Sequence, residues 1–201
     1  MGTEVAGNPE YTQHLVDLQT VWWKRVLPVQ APYRWNLRRL HLGRTLDLGC
    51  GIGRNLENLG PGAVGVDHDE ASVRVARSRG FEAYTPVEFR ASAQADPGNG
   101  FDSLLLSHVA EHLTPEELDA FVEPYLAHVR PGGTVVVICP QERGFAHDPT
   151  HVEFLDVAGL RDLAHRSGLL IDRVYSFPFP RRAGRLFVYN ETVLVARLPG
   201  A

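Results

Sequence analysis

Thr45-Leu46-Asp47-Leu48-Gly49-Cys50-Gly51-Ile52-Gly53-Arg54-Asn55 reads as a short apolar strand that breaks into a glycine turn and opens a helix. Three glycines at alternate positions remove side chains that would hold a ligand off the backbone, and they allow positive φ. A strand, a glycine turn and a helix start together offer a shelf of backbone N–H groups to a nucleotide-like ligand. Spacing narrows the choice of ligand. The dinucleotide fingerprint G-x-G-x-x-G/A needs Gly or Ala at position 54, where this chain has arginine. The phosphate-cradling G-x-x-x-x-G-K-[ST] is missing as well, which argues against a nucleoside triphosphate.

About 20 residues on, Ala63-Val64-Gly65-Val66-Asp67 is a second apolar strand ending in a carboxylate. A carboxylate on a neighbouring strand tip can accept hydrogen bonds from both hydroxyls of a ribose. Asp69 is the better candidate to cap the helix that follows. The run Asp47-Leu48-Gly49-Cys50-Gly51-Ile52-Gly53 resembles motif I of the class I S-adenosylmethionine (SAM)-dependent methyltransferases, D/E-x-G-x-G-x-G, at every position. That resemblance implies SAM as cofactor and S-adenosylhomocysteine (SAH) as product. It places Asp47, Gly49, Cys50, Gly51, Gly53 and Asn55 around the cofactor, Asp67 and His68 at its ribose, and Ser107 near the transferred methyl. Where many such enzymes carry an acidic residue and an apolar one just past the third strand, this chain has Thr85-Pro86-Val87-Glu88-Phe89. Glu88 and Phe89 are expected to hold the adenine a few residues late; the alternative is an ordinary solvated glutamate.

The whole chain sets bounds on these readings. Its 201 residues suit one compact α/β domain. A net charge of −4, with no long basic run, argues against duplex nucleic acid as a partner. No apolar run is long enough for a membrane span, and the polar start lacks a signal-peptide pattern. Cys50 and Cys139 form no C-x-x-C pair, which fits a cytoplasmic setting. The expected partner is a small-molecule methyl acceptor, on a monomer or homodimer.

In chain order, Asn8-Pro9 starts a helix that carries Leu15, Leu18, Trp22 and Val26 at helical spacing and stops at Pro28. Asn36 to Leu42 reads as a second short helix. The resemblance implies that residues 1–43 are an N-terminal helical extension or lid and 44–201 the SAM-dependent methyltransferase domain. Trp22, Trp23, Tyr33 and Trp35 are lid aromatics or the core of a helix pair. Arg34 is a candidate for the carboxylate of the cofactor's methionine part. Strands are expected at Phe81–Tyr84, Phe101–Ser107 and Thr134–Cys139, with Arg130-Pro131-Gly132-Gly133 as a turn. Thr114-Pro115-Glu116-Glu117 is a capping box that opens a helix, and Asp156 to Ser167 is the last helix. Leu169 to Phe177 and Leu186 to Arg197 are strands whose link is too short for a crossover, so they are antiparallel. The resemblance then implies a Rossmann-like, doubly wound sheet of seven strands, mostly parallel, in the order 3-2-1-4-5-7-6, with helices on both faces.

For chemistry beyond the cofactor, the best bases lie past the fourth and fifth strands, where doubly wound sheets bind ligands. His108 in Ser107-His108-Val109-Ala110-Glu111-His112 is the first candidate, with Glu111 and His112 bracing the loop. His151 is the second, in Ala146-His147-Asp148-Pro149-Thr150-His151, where Asp148 could orient it. His108-x-x-Glu111-His112 also spells an inverted zinc-protease motif, but that motif needs a long helix and Thr114-Pro115 starts a new one at once. A metal on the His147-Asp148-His151 loop is a minor alternative, and the expectation is no metal. Arg181, Arg182 and Arg185 read as a solvated turn, with binding of an acidic molecule as the alternative. The function expected is methyl transfer from SAM to oxygen or nitrogen of a small molecule, related to natural products or glycans. Its rivals are a non-catalytic SAM-binding sensor or partner subunit and, further off, an oxidoreductase.

Overall fold

A computed structural model describes residues 31–96 and 100–200. The helix expected from Asn8 to Pro28, with Trp22 and Trp23, lies outside the described residues. Seven strands form one sheet: β1 (Thr45–Leu48), β2 (Val64–Val66), β3 (Glu82–Tyr84), β4 (Phe101–Ser107), β5 (Val129–Pro140), β6 (Leu170–Phe177) and β7 (Glu191–Arg197). Their spatial order is β3-β2-β1-β4-β5-β7-β6. The first five pair in parallel, and β7 runs antiparallel to both β5 and β6. This is the doubly wound sheet with a reversed C-terminal hairpin expected from the sequence.

Around the sheet lie α1 (Ala31–Arg38), α2 (Arg54–Leu59), α3 (Glu70–Ser78), α4 (Pro86–Ala91), α5 (Pro115–Leu126), α6 (Glu142–Phe145) and α7 (Val157–Arg166). Side chains alternate across a strand, so Leu104, Leu106, Val135, Val137 and Leu194 face Leu118, Val122, Leu160 and Leu163 in one core cluster. Leu105, Val136, Ile138, Val193 and Val195 point the other way, onto Leu37 and Phe177. Both faces are covered, which is why β4, β5 and β7 read as unbroken apolar runs.

Four local expectations change. The first described helix covers Ala31–Arg38 rather than 36–42, because Pro32 is tolerated in a first helical turn. The segment after β3 is a helix: Thr85 and Glu88 form a complete capping box with Pro86 at its start. β5 begins at Val129 instead of 134, and the expected turn Arg130–Gly133 falls within the strand's bounds, where the ladder with β4 shifts register between Phe101 and Ser103. β7 starts at Glu191, not 186, because Arg181–Arg185 forms a 3₁₀ turn and the buried Asn190 side chain binds the Phe179 amide at 3.0 Å.

Candidate functional site

The parallel strands deliver their carboxyl ends to one edge of the sheet, and the glycine turn sits there. Gly49, Gly51 and Gly53 have φ of 72°, 51° and 85°, but for different reasons. A Cβ on Gly49 would collide with Val109, and one on Gly53 with Phe81. A Cβ on Gly51 would meet nothing within 4 Å. Of the three, only Gly51 clears space for a ligand; the others make room for neighbouring side chains. The expected shelf of free amides is also largely spent. Gly49 and Cys50 donate to the Val66 carbonyl at 2.8 and 3.2 Å, and Gly53 donates to Cys50 at 2.9 Å. Gly51 donates to Asp67 Oδ2 at 2.7 Å. A turn built to cradle phosphate needs such amides unspent, so this one suits a ligand without phosphate.

Asp67 ends β2 with its carboxylate buried. Oδ1 accepts from the Asp69 amide at 2.9 Å and Oδ2 from Gly51. A carboxylate has about four lone-pair sites, so about two remain for a ligand. Asp69 is the cap of α3, accepting from the Ala71 and Ser72 amides, which leaves Asp67 free of that duty. His68 is exposed beside it, Nδ1 lying 3.5 Å from Asp67 Oδ1. Asp47 is fully buried at the end of β1. Burial pushes its pKa up to about 8, against a hydrogen bond from Asn55 and with help from the nearby Asp67 charge. Its Oδ2 is sealed without a hydrogen-bond partner. The Cys50 thiol points away, against Gly65 and Leu56, and burial raises its pKa.

Two adenine expectations are corrected. Phe89 is completely buried, packed among Tyr84, Phe101, Tyr125 and His128. The helix begun by Thr85 turns it inward, so it is core and not a ring for adenine. Glu88 spends its carboxylate on the Thr85 amide at 2.8 Å and on a two-pronged pair with Arg77. Those contacts, Arg77 first, pull its pKa down to about 2. Arg34 is exposed on α1. Its neighbour Tyr33 instead reaches inward and donates its hydroxyl to the Tyr189 carbonyl at 2.6 Å.

Beyond the half-buried Ser107, His108 adopts a left-handed φ of 58°. Its Nε2 lies 2.9 Å from Glu191 Oε1 and its Nδ1 3.3 Å from Glu111 Oε1. Desolvation opposes its charge, but the two carboxylates outweigh it and push the pKa up to about 10. With both ring nitrogens engaged by carboxylates that favour its charged form, His108 is not placed as a free base, against the expected base role. Glu111 is fully buried within the 3₁₀ turn Ala110–His112. Its own carbonyl accepts from the Val152 and Glu153 amides at 2.8 and 3.1 Å, tying the second histidine loop to the tip of β4. His151 Nδ1 meets the Phe145 carbonyl at 2.8 Å, while Asp148 turns to the Thr150 amide and hydroxyl. The group that orients His151 is therefore a backbone carbonyl and not Asp148. Arg181 is paired with Glu142.

Residues 45–133 match the family model of a methyltransferase domain. The stretch from β1 into β5 is thus similar to methyltransferase domains. The chain is 30% identical over 143 residues to a ubiquinone biosynthesis O-methyltransferase of Methylobacterium nodulans, covering 58% of this chain and 57% of that protein. Another protein of that name, from Chelativorans sp., is 36% identical over 100 residues, covering 47% and 39%. The chain thus spans about half the length of the relatives it matches. In three dimensions it resembles a SAM-dependent methyltransferase from Archaeoglobus fulgidus with a TM-score of 0.62 at 20% identity, covering 82% of this chain and 92% of that one.

Sequence reasoning missed Glu191. No motif marks it, and only the antiparallel sense of β7 brings its first residue to the strand tips. Tyr33 was noticed as an aromatic but not as a neighbour of the same mouth.

Proposed function

We propose that this chain transfers a methyl group from SAM to oxygen or nitrogen of a small molecule, with residues 44–201 as the catalytic domain and 1–43 as an N-terminal extension. The observation that carries the reading is the pairing of Asp67 with Gly51. A buried carboxylate with about two lone pairs to spare sits beside a backbone position with nothing in front of it. These residues fit the cofactor. Asp67 would hold the ribose hydroxyls, and the sealed, unpartnered Oδ2 of Asp47 would face the amino group of the methionine part. When bound, SAM supplies a methyl group made electrophilic by its sulfonium.

The chain's own part is to orient and to shield. Gly51 lets the backbone approach, while Asp67 anchors one end of the site. His108, fixed between Glu111 and Glu191, gives the mouth a positive centre instead of a base. Alignment of that kind can supply about 7–11 kcal/mol of a barrier. The relatives' name, O-methyltransferase, favours oxygen as the acceptor atom.

Calorimetry with SAM and SAH on the whole chain tests the first half of this reading. Mass detection of methylated products across phenols, hydroxylated quinones, sugars and amines tests the second. A protein that binds neither SAM nor SAH sinks the proposal; binding without turnover favours the sensor reading.

A further inference from the structure

We propose that Glu111, His112 and His151 form a binding site for one divalent transition-metal ion. One oxygen or nitrogen from each lies within 4.8 Å of the others. Two imidazoles and a carboxylate are a donor set suited to Zn²⁺, Co²⁺ or Fe²⁺, and poorly suited to Mg²⁺ or Ca²⁺, which prefer oxygen throughout.

Three features aim these groups at a shared point. Both oxygens of Glu111 are sealed from solvent and make no well-formed hydrogen bond; His108 Nδ1 lies 3.3 Å and His151 Nε2 4.0 Å from Oε1, with the Cys139 thiol close by. His151 Nδ1 faces the Phe145 carbonyl at 2.8 Å, and His112 Nδ1 faces the Thr150 carbonyl at 3.2 Å. A carbonyl can only accept, so each neutral ring carries its proton on Nδ1 and keeps its lone pair on Nε2. That is how supporting carbonyls prepare metal-binding histidines. The Nε2 of His151 then lies 4.0 Å from Glu111 Oε1, lone pair toward carboxylate, an arrangement that a cation between them relieves.

The frame around them is closed. Phe145 stacks on His151 at 5.2 Å, and the two imidazoles meet edge to face at 4.8 Å. Ligands about 2.1 Å from a tetrahedral ion sit about 3.4 Å apart, so closing from 4.8 Å asks for little more than an ångström, shared between side chains. His108 takes no part. The left-handed backbone there breaks the helix on which the H-x-x-E-H motif depends, and its Nε2 is held by Glu191.

Titration of the metal-stripped full chain with Co²⁺, read by visible absorption and competed with Zn²⁺, tests the site. One Co²⁺ per chain is expected, displaced by one Zn²⁺. His112→Ala and His151→Ala should each weaken uptake at least roughly a hundredfold, the upper end of what loss of a mere supporting partner costs, while SAH binding stays intact. Glu111→Gln should do the same if it folds, and the two histidine variants decide the matter if it does not. No uptake at stoichiometric metal, or uptake unchanged in both histidine variants, overturns the site. Metal uptake is read without any acceptor or cofactor, so its failure is distinguishable from failure of the methyltransferase reading.

Discussion

Replacing Asp67 by asparagine tests the cofactor site with a change of one atom. In the parent, Oδ1 and Oδ2 each accept one backbone amide, from Asp69 and Gly51. About one lone pair on each is left for the ribose. Asparagine keeps one oxygen and turns the other into a donor, which would confront an amide N–H. One ribose bond to a charged acceptor is lost, at about 1.5–3 kcal/mol. That converts to roughly a 10- to 150-fold rise in Kd for SAH. Calorimetry at fixed pH, alongside a thermal melt of each protein, reads this directly. A Kd within threefold of the parent, in a variant that still melts cooperatively, would falsify the ribose assignment and with it the proposed cofactor pose.

Asp47 has its pKa raised from 3.8 to about 8 in the fold. Its contribution is therefore fully present below pH 4 and is lost as pH rises toward 8, a swing on the order of several kcal/mol. Urea unfolding at pH 4.5 and 8 should show Asp47→Asn flattening that slope while weakening SAH binding. His108 is raised from 6.5 to about 10, so its ion pairs stabilise fully below pH 6.5 and are lost as pH climbs through 10. Because that side chain is half exposed, solvent screening keeps the effect small. Glu191→Gln should reduce the alkaline loss, measured as melting temperature against pH. Phe89→Ala should cost about 3–5 kcal/mol of stability in denaturant unfolding. Glu88→Gln should leave the Kd for SAH within threefold; a tenfold rise would restore Glu88 to the adenine site.

The strands and the glycine turn were legible because they rest on local signals, apolar runs and turn residues, whereas the strand order followed only from the resemblance carried by the seven-residue motif. Two local signals compete after β3. Thr85-Pro86-Val87-Glu88 is the same helix start as Thr114-Pro115-Glu116-Glu117, and that capping box prevails over the adenine-binding role the family pattern suggests for Glu88 and Phe89. Roles that depend on distant pairing were not legible. The charge of His108 is set by Glu191, 83 residues away, and Gly49 is a glycine because of Val109. His151 could be picked from its loop, but its partner Glu111 could be matched to it only in space.

One strand reversal has a practical consequence. β7 is wedged between β5 and β6 and runs against both, so its leading end, Glu191, stands opposite Pro140 at the strand tips. The link before it exposes Leu186 almost fully, at 86%. A protease nick there would leave Gly51 and Asp67 on one fragment and Glu191, one of the two carboxylates on His108, on the other. Rejoining them means threading a strand into the interior of a sheet, so donor affinity and charge balance at the mouth could be dissected by a single cut.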